Sequence, residues 1–444
     1  MARSKFTVKS DRLTRDSSVE EVAARHKRKP RAWHVIHACE YARDVESIVE
    51  AQIAAGMFPY VVTALGKSQK GAADQASLMQ AWQGVRTWRK QLDECAPPAW
   101  PIASAILHAH AFTAGMAAVR GQSPAVYDVR AFVEEQAAGN GQCSQASWLS
   151  RSFRTAEQFV LTRAAAVVVH GSSMRSRCLE RGVDNQDIFV VPDPVPVLPS
   201  SGDFCAQDAN WLHRVFGFSE QDAVAVVAKI DASPESENQK NLPSGREVPS
   251  KSKHPSVELV RLLQAFSQVH GENEMARLFV IAHSGDQQIR DLGHQFELDH
   301  AIFVIAPEDG IRALASADIV LDAAVDEGSA ARNSVALIAL AHGRALLAPD
   351  VPANRDLTPE GRGCLWYRPA DEKDLAHRLA FLARNRDFRK ALGENGRKHI
   401  LETRTPERVG QRYAEVYRHA YDCGGKSGDS QNLSASQLPS QACL

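Results

Sequence analysis

From position 33 onward the chain alternates short runs of apolar residues with longer stretches in which apolar residues recur every three or four positions. Runs of four to eight apolar residues suit strands buried on both faces. The helical period between them suits crossover helices, so the pattern predicts a parallel sheet covered on both sides. The strand-like runs fall at 33–38, 60–65, 106–110, 125–129, 165–170 and 188–191, with helical stretches at 45–55, 75–93, 148–163 and 172–181. The last helix carries its own punctuation: Ser172 and Ser173 stand where they can cap its start, and Gly182 where it can end it.

The alternation halts at Pro192-Asp193-Pro194-Val195-Pro196 and a following Pro/Ser/Gly-rich stretch, the composition of an interdomain linker. It resumes with strand-like runs at 223–230, 278–282, 302–306, 319–323, 345–348 and 364–367, and helices at 256–269, 287–297, 310–317 and 334–342. Three more helical stretches, 371–384, 388–402 and 406–420, close the chain. The expected organisation is a disordered basic tail (1–31), a first Rossmann-like α/β domain (32–196), a linker (197–205), a second Rossmann-like domain (206–405), a terminal helix (406–422) and a disordered tail (423–444). Segment 231–252, rich in Ser, Pro, Glu, Asn and Lys with almost no large apolar residue, reads as a disordered insertion in the second domain. A chain of 444 residues is long enough for two such cores. Open parallel sheets place their ligands at the carboxyl ends of their strands, so a cleft between the two halves is the expected site.

Charge and cysteine content narrow the classes. With 52 Lys and Arg against 53 Asp and Glu, the chain has no overall attraction for nucleic acid. Its eight cysteines contain no Cys-x-x-Cys pair and fit a reducing cytoplasm better than a zinc or redox site. No run of eighteen apolar residues is present to span a bilayer. The basic group around Arg25, Lys27, Arg28 and Lys29 implies at most a peripheral contact with the inner membrane surface.

Candidate chemistry gathers where predicted strands meet predicted helices. His108 and His110 end one strand and point to a switch-point loop, where one of them faces the cleft or else satisfies backbone groups. Arg130 and Glu134 follow the next strand and read either as an acceptor-side polar pair or as an ion-pair network at the sheet edge. In the second half Lys229 ends a strand and Lys253 precedes a helix, so two ammonium groups and a helix start together form a cradle for a diphosphate. Glu327 lies at a later strand-to-helix junction, where a carboxylate can accept hydrogen bonds from a sugar. There is no Asp-x-Asp and no close His/Cys/Asp cluster in the sequence, so neither a metal nor another cofactor is expected. Gly-x-Gly-x-x-Gly and Walker-type loops are also missing, which excludes the usual signs of dinucleotide chemistry and ATP hydrolysis.

Taken in order, these segments resemble the family 4 retaining glycosyltransferases, including the branch associated with bacterial exopolysaccharide loci. The likeness spans 33–421. It is carried by Leu107-His108-Ala109-His110 with Gly115, the run 126–135, the run 163–170 through to Gly182, Ala228-Lys229-Ile230, Lys253-His254, the run 316–321, and Ala339-Leu340-Ala341-His342-Gly343 before Ala348-Pro349-Asp350. The resemblance implies two Rossmann-like domains facing across a cleft, the GT-B type of fold. It implies transfer of a sugar from a nucleotide-diphosphate donor to a polysaccharide, oligosaccharide or lipid-linked acceptor, with retention. By the same likeness Lys229 and Lys253 hold the donor diphosphate, His110 is the cleft histidine near the transferred sugar, and Glu327 is the first acid of a paired-glutamate motif.

Three positions depart from that pattern. The motif's second glutamate, which binds the ribose, falls on Ile338; a glycine-rich first turn is replaced by Ala38-Cys39-Glu40-Tyr41-Ala42-Arg43; and an Asn-Gly pair is replaced by Asp193-Pro194. These departures motivate a second expectation, a catalytically weakened paralogue acting as a binding or scaffolding partner of an active transferase. A nucleotide-sugar epimerase on the same twin architecture is a third.

Overall fold

A computed structural model of the chain describes residues 34–39, 45–63, 78–95, 105–121, 123–139, 143–144, 146–195, 210–218, 224–229, 257–282, 286–322, 330–358 and 362–427. All twelve strands anticipated from the apolar runs are present among them. The first six are β1 (His34–Cys39), β2 (Phe58–Thr63), β3 (Ile106–Ala109), β4 (Ala125–Val129), β5 (Ala166–Val169) and β6 (Ile188–Val190). The second six are β7 (Val224–Lys229), β8 (Ala276–Ile281), β9 (Ile302–Ile305), β10 (Ile319–Leu321), β11 (Ala345–Pro349) and β12 (Cys364–Tyr367). They form two six-stranded sheets in the orders β2-β1-β3-β4-β5-β6 and β12-β11-β10-β7-β8-β9, and every pairing is parallel. The protein therefore has a two-domain α/β fold of the GT-B type.

Strand order reverses between β1 and β3 in the first sheet and between β7 and β10 in the second, while strand direction stays the same throughout. These are the switch points, where neighbouring loops leave the sheet on opposite faces and open a crevice. His110 follows β3 at the first, and Lys229 ends β7 at the second. The segments 197–205 and 231–252 lie outside the described residues, as do Lys253 and Glu327.

The final helices tie the halves together. Helix α1 (Glu46–Ala54) follows β1, and the last helix, here αC (Pro406–Ser427), follows the second sheet but packs against the first. Its apolar side is spaced for this: Val409, Tyr413, Val416, Tyr417 and Ala420 lie on one stripe, and all are fully buried. They pack on Val35, Ile106, Val126 and Val168, the residues of β1, β3, β4 and β5 that share one sheet face. Complete burial of each such valine contributes about 1.5–3 kcal/mol. Gly410 permits the close approach, since a Cβ there would fall 2.1 Å from the Ala51 carbonyl oxygen of α1. The helix runs to Ser427, so the expected boundary of a tail at 423 is corrected. Among the described residues no helix is long and apolar enough to cross a membrane.

A second correction concerns the helix Ser172–Glu180. Gly171 occupies the capping position and no side chain within the helix caps it. The Asp356 carboxylate, from the second half of the chain, instead accepts from the Ser172 backbone N–H at 2.8 Å and from the Ser172 hydroxyl at 2.6 Å. A carboxylate suits the free N–H groups and positive pole of a helix start. Gly182 ends the helix as anticipated, with φ +82°, in the left-handed region that glycine tolerates.

Candidate active site

The sheet face under αC changes character along its length. Toward the amino ends of the strands it carries valine and isoleucine; two residues further on, the same face carries His37 on β1, His108 on β3 and Asp128 on β4. Beyond the strand ends it continues as His110, His170 and Asp193. Side chains in a strand alternate faces, so these polar residues necessarily lie together once the strands are in register, and His37 pairs directly with His108. His108 and Asp128 have fully buried side chains, and that of His110 is only 4% exposed.

Buried polar groups must find partners, and here most do. His37 Nδ1 is 2.8 Å from His110 Nε2, and His37 Nε2 is 2.8 Å from the Gln52 amide oxygen on α1. The Gln52 amide nitrogen is 2.7 Å from the Tyr417 hydroxyl, which is in turn 2.8 Å from His108 Nδ1. Asp128 closes the figure: its Oδ2 is 3.3 Å from His110 Nδ1 and 3.8 Å from His108 Nε2. Those two contacts are longer than a well-formed hydrogen bond, and the three atoms stand buried with electrostatic contact alone. The other Asp128 oxygen accepts from His170 Nε2 at 2.7 Å.

Arg130 and His170 face two carboxylates at the rim. Arg130 Nη2 donates to Asp193 Oδ1 at 3.2 Å and its Nε lies 3.8 Å from Asp128, while His170 Nδ1 is 3.3 Å from Asp193. Burial works against the Asp128 charge, yet His170 and Arg130 outweigh it and hold the carboxyl well below the usual carboxylate range. Burial likewise opposes charge on His170, but Asp128 and Asp193 raise its pKa. For the inner histidines burial wins: His37 falls to about 3, with His110 adding to the effect, His108 lies well below its ordinary value and His110 is lowered too. At neutral pH the site holds an ionised Asp128 beside neutral His37, His108 and His110.

The structure brings His110 and Arg130 into this one network through Asp128, and separates Glu134 from it. Glu134 is buried and paired with Arg181, whose guanidinium also lies 3.6 Å from Glu157. Glu157 accepts from the Tyr127 hydroxyl at 2.8 Å, and burial lifts its pKa to about 8. Of the alternatives open in the sequence, Glu134 takes part in an ion-pair network, though among the helices beside the sheet rather than at its edge, and Arg130 joins the strand-end site. Sequence reasoning missed His37, Gln52, Asp128, His170 and Tyr417. Two signals were available: His37 and Asp128 interrupt otherwise apolar strands, where a polar residue requires a partner.

Spacing alone would let a metal ion be shared, since His37, His108 and His110 offer ligand atoms within 4.8 Å of one another, as do Asp187, His419 and Cys423. In the first group both His37 nitrogens are already engaged, by His110 and Gln52. In the second His419 Nε2 sits 2.7 Å from Asp187 Oδ1, next to Cys423 on the following turn of αC.

In the second half the described part of the site is apolar almost to the strand ends. Lys229 ends β7, and Asp322 follows β10 on the other side of the switch point, its carbonyl accepting from the Tyr367 hydroxyl at 3.0 Å. Ile338 is 8% exposed and packs in an apolar cluster with Val335, Leu314 and Val320.

Comparison with known proteins gives this geometry a family. Residues 40–194 match the glycosyl transferase 4-like domain, and residues 282–415 match a glycosyl transferase-like domain. No curated protein matches. Among solved structures, sucrose-phosphate synthase from Thermosynechococcus elongatus superposes with a TM-score of 0.62 at 15% identity, covering 88% of this chain and 99% of that one. HepE from Anabaena in complex with UDP gives 0.59 at 12% identity, over 87% and 99% of the two chains. A protein from Listeria monocytogenes described as a putative UDP-N-acetylglucosamine 2-epimerase gives 0.54 at 12% identity, over 88% and 97%. Each half of the chain thus matches a glycosyl transferase domain, on two switch-point sheets that have the GT-B type of fold.

Proposed function

We propose that the protein transfers a sugar from a nucleotide-diphosphate donor to a polysaccharide, oligosaccharide or lipid-linked acceptor, with retention of anomeric configuration, in exopolysaccharide assembly at the cytoplasmic face of the membrane. The observation that carries this reading is Lys229 at the carboxyl end of β7, at the switch point of the second sheet, in a chain matched by transferase domains on both sides. Lys229 and Lys253 neutralise the donor diphosphate without a metal or other cofactor, as preorganised charge does wherever a leaving group gains charge. His110 and Glu327 act on the transferred sugar, and Arg130 and Glu134 serve the acceptor side, Glu134 by holding Arg181. Calorimetric titration with UDP, GDP, ADP and their sugar conjugates, followed by product analysis with and without acceptor, tests this. Failure to bind or turn over any of them would sink it, and product formed without acceptor would mark an epimerase instead.

One observation favours a second reading, a weakened paralogue that scaffolds an active transferase. Where the resemblance asks for a ribose-binding acid, Ile338 lies in an apolar core. Co-purification with a transferase, with Lys229→Ala silent in every assay, would select it.

A further inference from the structure

The contacts around Asp128 form a closed ring: Asp128, His110, His37, Gln52, Tyr417, His108 and back to Asp128. Four of its links are well-formed hydrogen bonds of 2.7–2.8 Å, each requiring one proton. Five neutral groups supply them. A neutral imidazole has one N–H and one acceptor nitrogen, an amide offers a donor on one side and an acceptor on the other, and a phenol has one O–H to give. Five protons in four links leave one over, and it must sit at an end of the chain, facing Asp128 Oδ2 from His110 Nδ1 or from His108 Nε2. The other end then turns a bare nitrogen to the carboxylate. The ring thus has two states, and in each of them all three histidines carry their proton on the same ring atom.

The distances choose between them. A bare nitrogen opposite a carboxylate oxygen is repelled, and an N–H is attracted, more strongly at 3.3 Å than at 3.8 Å. The nearer atom, His110 Nδ1, therefore holds the proton. This direction turns the Gln52 amide over from the placement given above, so that its NH2 goes to His37 and its carbonyl to Tyr417; the two ends of an amide have the same shape and are told apart by the network alone.

We propose that Gln52 and Tyr417 are positioning residues for His110, and that through this ring His37, His108 and His110 are all fixed as Nδ1–H tautomers. Burial supports the proton count, because it keeps the three rings neutral. Of the remaining neighbours, His170 and Arg130 compensate Asp128 and are themselves paired with Asp193, and none of the three enters the ring. So held, His110 has no N–H to give away: Nδ1 faces Asp128, and Nε2 accepts from His37. Since Tyr417 stands on αC, the last segment of the chain, the state of a switch-point histidine in the first half depends on that helix being docked.

The significance for turnover rests on the transferase reading, but the ring is tested without it. Long-range proton–nitrogen correlation spectra of the full chain labelled with 15N-histidine distinguish the two tautomers ring by ring. Three Nδ1–H signals are expected in the parent. In Tyr417→Phe, His108 loses its acceptor on the αC side and moves to the Nε2–H form while His110 keeps its proton on Nδ1. A mixed set or three Nε2–H rings in the parent would overturn the proposal, as would a folded Tyr417→Phe protein with His108 unchanged. Gln52→Leu, which also breaks the ring, serves as the second variant: there His108 alone is expected to respond, and a change confined to His170 would also overturn it.

Discussion

The two sheets have the same strand number, the same parallel pairing and a switch point each, yet their buried faces are filled in different ways. Under αC the first sheet changes from valine and isoleucine to His37, His108 and Asp128 as the strands approach their carboxyl ends. The second stays apolar through Val226, Ala228, Val320 and Leu347 until Lys229 and Asp322. The contrast separates two uses of burial. In the second half it serves cohesion, and a lost contact costs packing alone. In the first half burial raises the electrostatic stakes, because an unmatched charge or N–H there has no water to turn to.

The largest expected effect comes from breaking the balance in the first half. Asp128→Ala leaves His170 and Arg130 without the carboxylate they flank, and removing one partner of a buried ion pair costs about 3–5 kcal/mol. Urea unfolding monitored by tryptophan fluorescence reads this directly; a loss below 1 kcal/mol would mean the carboxylate is not the centre of the site. Putting a charge into the second half makes the converse test. Ile338→Glu places a carboxylate among Val335, Leu314 and Val320 and is expected to destabilise by about 2–4 kcal/mol without tightening nucleotide binding. Tighter binding in that variant would show that the helix bearing Ile338 turns this position to the donor.

Lys229→Ala should divide affinity from stability. Loss of a charge-assisted hydrogen bond weakens binding of a sugar nucleotide by about 1.5–3 kcal/mol, with the melting temperature scarcely moved. Equal affinity in parent and variant would remove Lys229 from the donor site.

The smallest effect is a difference between the halves in acid. His37 titrates at about 3 in the folded protein against an ordinary value of 6.5, so below 6.5 the unfolded chain takes up the proton first. Stability from His37, and in the same direction from His108 and His110, is therefore lost as pH falls from 6.5 toward 3. His170, whose pKa is raised, contributes fully throughout that window and loses its contribution only at higher pH. Asp128, whose pKa is depressed, keeps its contribution until the pH is below the ordinary carboxyl value. In the second half burial also lowers His270, His342 (to about 4) and His399, but these lie on or beside helices and none stands on β7 or β8. Hydrogen exchange at pH 5 should show β1 and β3 losing protection, relative to pH 7, by more than β7 and β8. Equal losses would place the acid-sensitive groups elsewhere.

The amino-acid sequence by itself determined the architecture. Apolar runs bounded by glycine and proline set all twelve strands within a few residues, because a strand buried on both faces has no other way to be written. It also placed His110, Arg130 and Lys229 at strand ends, since the periodicity that defines a strand defines where it stops. Only the tertiary structure decided which of those residues meet. Gln52 and Tyr417 are separated by 365 positions, and Ser172 and Asp356 by 184, distances over which no local pattern carries information. Neither the arrival of αC on the first sheet nor the pairing of Glu134 with Arg181 follows from composition or spacing. Hydrogen bonds and ion pairs act over a few ångströms in space, and the sequence specifies that proximity only through the packing of the whole chain.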